Sequence, residues 1–188
     1  MHARARSVPP RRRVEVGDLV RRDFSAPDAG LKWFTDLTMI RTGEGWLRAA
    51  VVLDAFNRKV IAWSTDAIET PRTALTALAE AIRVANPKPG CIIHSDRGYQ
   101  FTMHDWIDLA TRHGLRVSIG ERKDPRDNAA MESWFGSFKN EALYPVGQPR
   151  SRAEARERLF NYIWDYNQHR LHSSLGYRTP ADYATINQ

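Results

Sequence analysis

Cysteine is nearly absent: Cys91 is the only one in 188 residues. One thiol makes neither an internal disulfide nor a cysteine-based zinc cage, so the cytosol is the default compartment. Long apolar runs are missing too. No stretch approaches the ~18 consecutive apolar residues of a membrane helix, which excludes a helical spanning protein. The start is Arg-rich with no apolar run behind it, so a secretory signal is not expected. There is no internal repeat and no low-complexity tract.

What is present is an ordinary globular composition, 42% hydrophobic and 27% charged, with a basic balance of +6. A basic chain favours a polyanionic partner such as nucleic acid. The charge is uneven, however. Residues 1–22 hold seven arginines against Glu15 and Asp18, a net of +5, and the other 166 residues carry a net of +1. The folded part must therefore justify nucleic-acid binding through particular residues.

Residues 1–30, with Pro9-Pro10, an Arg triplet and Ser25-Ala-Pro-Asp-Ala-Gly30, show no helical or strand period and read as a basic arm. Such an arm is either a solvated tail or an extension that binds phosphates without regard to sequence. From Trp33 the pattern changes. Trp33–Ile40, Trp46–Leu53 and Lys59–Ser64 read as strands, and Asp54–Arg58 as a hairpin connection. Thr70-Pro71 opens a helix, Thr as N-cap and Pro at the first position, with Leu75, Leu78, Ala79 and Ile82 facing inward. A strand at Cys91–Ile93, a helix over 103–113 and a strand at Arg116–Ile119 follow, an α/β order. After the charged loop Gly120–Asp127, a helix runs from Asn128 to Leu143 with Met131, Trp134, Phe138 and Ala142 as its buried stripe. Ser151 and Glu154 form a capping box for a helix whose inner face is Ala155, Leu159, Tyr162, Ile163 and Tyr166. A last helix starts at Thr179-Pro180. The division is an arm at 1–30, an α/β core at 31–150 and a helical extension at 151–188.

Three acidic residues sit where folding alone would not choose them. Asp36 lies mid-strand among apolar residues, and a lone buried carboxylate is costly unless paired or bound to a metal. Asp96 follows the carboxyl end of a strand, where open α/β sheets place ligands. Glu132 lies early in a helix, beside its apolar stripe. Singly, each has a structural explanation: a backbone-satisfied acid, a turn residue, a first-turn acid favoured by the helix dipole. Together they suit hard divalent cations, which accept all-oxygen ligands and relieve like-charge repulsion. Two such ions about 4 Å apart activate an attacking oxygen and stabilise a leaving one at phosphorus. Metal-assisted phosphodiester chemistry is what these residues suggest.

The arrangement also resembles a known family. Asp36 in Trp33-Phe-Thr-Asp-Leu-Thr38, Asp96 in His94-Ser-Asp-Arg-Gly-Tyr99 and Glu132 in Asn128-Ala-Ala-Met-Glu-Ser-Trp-Phe-Gly136 are similar to the motifs of the D,D,35-E transposases, with 35 residues between Asp96 and Glu132. Tyr166-Asn167, Arg170, His172, Leu175-Gly-Tyr177 and Thr179-Pro180 resemble the C-terminal motif of the second-frame transposases of insertion-sequence family three, and Arg21–Pro27 resembles a motif near its start. The resemblance runs from about residue 19 to 183. It implies an RNase H-like fold, that of the retroviral integrase core, with a mixed five-stranded sheet and flanking helices. It also implies Asp36, Asp96 and Glu132 as catalytic residues and ligands of two Mg²⁺ or Mn²⁺ ions. Water, then a 3′-hydroxyl of the element's end, would attack phosphodiesters of DNA. The implied setting is a bacterial cytoplasmic protein at the nucleoid, a homo-oligomer on element ends and target DNA. Only some thirty residues precede the Asp36 strand, where the family carries an upstream DNA-binding region. End recognition is therefore expected to need a separate polypeptide, or the chain is a truncated remnant that only binds DNA.

Further residues have two readings each. Asn128, Glu132 and Lys139 share a helix face. Lys139 reads as a DNA-phosphate contact, and Asn128 as either a DNA contact or a helix cap. Arg122, Lys123 and Arg126 suit phosphates from the charged loop. His94 reads as a structural histidine, or one that positions a phosphate or a water. His169, Arg170 and His172 read as structural or DNA-contacting, Asp54 as a turn residue, and five tryptophans (Trp33, Trp46, Trp63, Trp134, Trp164) as core.

Overall fold

The structure is a computed structural model and describes residues 16–120 and 125–187. Three antiparallel strands come first: β1 (Lys32–Thr42), β2 (Gly45–Asp54) and β3 (Val60–Asp66). Then follow α1 (Arg72–Ala85), β4 (Ile92–Ser95), α2 (Tyr99–Thr102), α3 (His104–Arg112) and β5 (Arg116–Ile119). The strands β4 and β5 run parallel to β1, so the sheet order is β3-β2-β1-β4-β5. The chain closes with α4 (Ala129–Phe138), α5 (Arg152–Gln168) and α6 (Pro180–Ile186). This is the mixed five-stranded sheet with flanking helices that the sequence implies.

Alternation along the strands builds two cores. Trp33, Ala50, Val52, Ala62 and Ile93 face α1, α2 and α3, with Phe101 of α2 and Trp106 of α3 in the same core. Phe34, Ile40, Leu47, Val51 and Leu53 face α4 and α5. Asp36 shares the parity of Phe34 and Ile40 and so belongs to the row facing α4. Trp134 of α4 stacks on Phe138 (centroids 6.0 Å) and meets Tyr162 and Tyr166 of α5 edge-on at 5.5 and 5.8 Å. Aromatic pairs of this kind are worth about 0.5–1.5 kcal/mol each beyond the area they bury. They lock α4 against α5.

Four expectations need correction. The segment before β1 is not an arm throughout. Val20 is in the core, the Ile119 N–H donates to the Gly17 carbonyl at 3.2 Å, the Leu19 N–H donates to Ser118 Oγ at 2.8 Å, and Arg22 pairs with Asp127 at 2.8 Å. A turn built on Asp18 Oδ1, which accepts from the Val20 and Arg21 N–H groups, brings this about. Residues 1–15 lie outside the described residues. At α1, Pro71 rather than Thr70 takes the cap position, and the buried face is Thr73, Ala74, Ala77, Leu78 and Ala81. Alanines let the helix backbone lie close to the sheet, which turns Leu75 and Ile82 to the flanks and leaves Ala79 exposed. The short α2 has no counterpart in the sequence pattern. Finally, the helix after Asn128 is α-helical only to Phe138. Lys139–Leu143 is a π turn, with the Tyr144 N–H donating to the Lys139 carbonyl at 2.8 Å. At the last two helices the reading holds. All five inward positions expected for α5 are buried, Ser151 caps it through the Glu154 N–H, and Thr179 caps α6.

Candidate active site

Sheet register puts the two aspartates side by side. Phe34 pairs with His94 across the parallel β1 and β4 strands, and the same offset of 60 sets Asp36 level with Asp96 just beyond the ladder. Asp36 points to the α4 side, where Glu132 lies in the first turn. The electrostatics report the meeting. Burial first, then the neighbouring Asp96 charge, and further on Glu132, push the Asp36 carboxyl up from 3.8 to about 7. The Leu37 N–H and the charge of Lys139 act the other way, which places Lys139 within electrostatic reach of the same carboxyl. Asp36 is half-buried, whereas Asp96 and Glu132 are exposed.

A network of buried polar groups holds the carriers in place. His94 is fully buried. Its Nε2 lies 2.8 Å from the Asp127 carbonyl, which can only accept, so Nε2 carries the proton. Nδ1 then accepts from Ser118 Oγ at 2.8 Å. Burial lowers the His94 pKa despite Asp18 3.8 Å away, consistent with a neutral ring. The next residue, Asn128, donates from Nδ2 to the Thr35 carbonyl at 3.1 Å, tying the start of α4 to the residue before Asp36. Asn128 occupies the cap position but makes no side-chain cap bond, and it is 4% exposed. Its side chain faces β1 and not the surface. Asp96 Oδ1 accepts from the Gly98 N–H at 2.8 Å, which closes the turn after β4.

The other expected residues are scattered around this centre. Lys139 is half-buried one face-repeat beyond Glu132, and Arg126 is exposed in the 3₁₀ turn Pro125–Asn128. Arg122 and Lys123 lie outside the described residues. Asp54 is buried and accepts from the Gly30 and Phe56 N–H groups and from Trp33 Nε1, a structural role. His169 pairs with Asp165 on the surface. Trp33 and Trp134 are core and Trp63 is half-buried, but Trp46 and Trp164 are exposed. Sequence reasoning missed Ser118 and Arg22. An isolated serine inside an apolar strand (Arg116–Ile119) was the available signal for the first.

By donor type and by mutual charge, the three carboxylates fit a hard divalent cation. As placed, they do not form a finished cage: among the described residues, no three His, Cys, Asp or Glu side chains meet closely enough to clasp an ion.

A mixed five-stranded sheet of order β3-β2-β1-β4-β5 with flanking helices is the frame of the integrase-core class. Residues 26–125 match the model described as integrase core domain, and residues 113–180 match a second model of the same description. The chain belongs to the integrase core family. Within it, the chain's relatives are DDE-type transposases of the IS3 kind. It is 33% identical over 171 residues to the transposase for insertion sequence element IS904 of Lactococcus lactis, covering 90% of this chain and 67% of that protein. It is 38% identical over 172 residues to transposase InsF for insertion sequence IS3A of Escherichia coli, covering 90% of this chain and 59% of that protein. The chain thus spans about three-fifths to two-thirds of the curated relatives' length. Among solved structures, the simian T-cell lymphotropic virus intasome in complex with a PP2A regulatory subunit superposes with a TM-score of 0.72 at 18% identity, over 85% of this chain and 56% of that one. The HTLV-2 integrase catalytic core domain in complex with magnesium superposes at 0.64 and 18%, over 84% and 98%. At such identities the likeness is one of fold.

Proposed function

We propose that this chain is the catalytic core of a DNA transposase that cleaves phosphodiesters at element ends and joins them to target DNA with Mg²⁺ or Mn²⁺. Asp36, Asp96 and Glu132 hold the ions. The observation that carries the reading is the register that sets Asp36 of β1 level with Asp96 beyond β4, on the side where the first turn of α4 carries Glu132; burial and the charges of Asp96 and Glu132 push the Asp36 carboxyl up to about 7. Three acids on three separate elements serve no packing purpose, and their repulsion is relieved by cations. When bound, the ions supply Lewis-acid activation of the attacking oxygen and neutralise charge on the leaving one. A relative in fold is described with magnesium, which supports the choice of metal.

The chain's own residues supply position. The ties from His94 to Asp127 and from Asn128 to Thr35 fix the distance between Glu132 and Asp36. Lys139 brings a positive charge to the strand being cut, and Arg122, Lys123 and Arg126 reach flanking phosphates. In cleavage, water attacks phosphorus and the bond to the 3′-oxygen breaks, which leaves a 3′-hydroxyl. In joining, that hydroxyl attacks a target phosphodiester and expels another 3′-oxygen. The protein works as a homo-oligomer on DNA.

The test is nicking of a labelled element end in Mn²⁺ by wild type, Asp36→Asn, Asp96→Asn and Glu132→Gln. Activity in wild type alone supports the reading. Normal activity in a variant removes that residue. Wild type that binds DNA but never cuts it makes the chain a DNA-binding remnant instead.

A further inference from the structure

The flank of α4 turned away from Glu132 and Lys139 carries Ser133 and Ser137, four residues apart and so on one side of the helix. Both line a cleft of about 240 Å³ together with Arg58, Trp134, Arg170 and His172. Nothing in the proposed chemistry at the carboxylates uses it.

The cleft holds buried nitrogens without hydrogen-bond partners among the described residues. Trp134 is 3% exposed, yet its indole Nε1 has no hydrogen-bond partner among the described residues. His172 Nε2 is also buried and unpartnered among them. A buried polar group left unsatisfied forfeits its hydration with nothing in return, so two in one cleft are costly unless an acceptor arrives from outside. Arg58 is half-buried and makes no ion pair or hydrogen bond among the described residues. It sits at the β2–β3 turn with φ 59°, where an L-residue other than asparagine, aspartate or histidine is uncommon. Its charge reaches both His172 and Tyr166. Arg170 is already paired with Glu141 at 2.6 Å, which leaves Arg58 as the unneutralised cation of the cleft among the described residues. No carboxylate lines the cleft among them. An indole N–H, an imidazole, a guanidinium and two hydroxyls converging on one space match an anion with several oxygens.

We propose that this cleft is a phosphate-binding site that grips a backbone phosphate of DNA. The grip sits on a different flank of α4 from Glu132 and Lys139 and holds DNA independently of the strand being cut. The DNA source rests on the function proposed above; the phosphate chemistry does not.

Two measurements on the full chain test it. First, inorganic phosphate is titrated into ¹⁵N-labelled protein while the indole N–H resonance of Trp134 is followed, assigned with Trp134→Phe. A saturable shift in wild type, lost in Arg58→Asn, is the expected result. Asparagine tolerates the left-handed backbone at 58, and Ser137→Asp, which places a negative charge in the cleft, should abolish the shift as well. Second, duplex DNA binding is measured from 50 to 200 mM salt. Losing one phosphate contact lowers the slope of log K against log salt by about 0.9, about a 3.5-fold smaller loss of affinity over that range. Lys139→Ala should lower it separately and additively. An indole resonance that phosphate does not move overturns the site. A phosphate shift with an unchanged DNA slope in Arg58→Asn makes the ligand a free anion and overturns the DNA assignment. Wild type that shifts with phosphate but binds no DNA sinks the transposase reading instead, and the DNA half of this proposal with it.

Discussion

Replacing Asp36 by asparagine should make the metal-free protein more stable at pH 8, not less. An ordinary carboxyl titrates near 3.8, and in the fold Asp36 titrates at about 7 because of burial and the charges of Asp96 and Glu132. Between those values the native state holds a proton that the unfolded chain has released, so stability falls as pH rises. The contribution is fully present below pH 3.8 and lost above 7. At 1.36 kcal/mol per pH unit the ceiling is about 4 kcal/mol. Asp36 is only half-buried, and solvent screening reduces the realistic figure to about 1–3 kcal/mol. The amide of the variant mimics the protonated acid in shape and carries no charge. For a chain of this size about 2 kcal/mol corresponds to roughly 4–8 °C in Tm. Thermal melts of Asp36→Asn and wild type with chelator present, from pH 4 to pH 8, should show a gap that opens with pH and closes near 4. Adding Mg²⁺ at pH 8 should raise wild type and narrow the gap. A variant less stable at pH 8, or a gap independent of pH, would refute the electrostatic explanation of the site.

Three further outcomes follow from the same structure. Lys139→Ala should lose more DNA affinity relative to wild type at low salt than at high salt, with a slope reduced by about 0.9; an unchanged slope would remove the phosphate contact. Asn167→Ala should cost about 1–3 kcal/mol in a denaturation experiment, because the Asn167 side chain accepts from the Val60 N–H at 2.9 Å and donates to its carbonyl at 3.0 Å, and both are then left buried. A loss below half that would show water replacing the amide. Deleting residues 1–15, which hold five arginines and one glutamate, should weaken low-salt DNA binding, and equal affinity would refute a phosphate-binding role for them. Deletion through residue 22 should also destabilise, since Val20 and Arg22 then go.

Much of this is legible because strands and helices here bury what their periods promise. Trp33 to Ile40 alternates between two cores, and the α5 stripe from Ala155 to Tyr166 is buried at each expected position. Asp36 stands out because it interrupts such a strand. The face of α1 escapes a reading by side-chain size, because close packing against the sheet selects Ala74, Ala77 and Ala81. The docking of residues 17–30 is hidden for another reason: it depends on Asp18, Ser118 and Asp127, which are neighbours only after the sheet has formed. For the same reason Tyr166-Asn167 reads as a motif without a mechanism. Only the fold reveals that Asn167 stands in for a strand partner at Val60. The π turn at Lys139–Leu143 leaves no mark in the pattern, since Leu143 stays buried whichever way the helix winds.

Everything proposed for the chemistry requires that Asp36, Asp96 and Glu132, from β1, the end of β4 and α4, share hard cations. Anomalous diffraction from crystals soaked in Mn²⁺ reads this out without recourse to activity. The expected map has a manganese peak bonded to Asp36 and Asp96, with Glu132 ligating that ion or a second one about 4 Å away. Saturating Mn²⁺ with no peak among the three carboxylates, or ions only at other sites, would show that they do not form a metal centre.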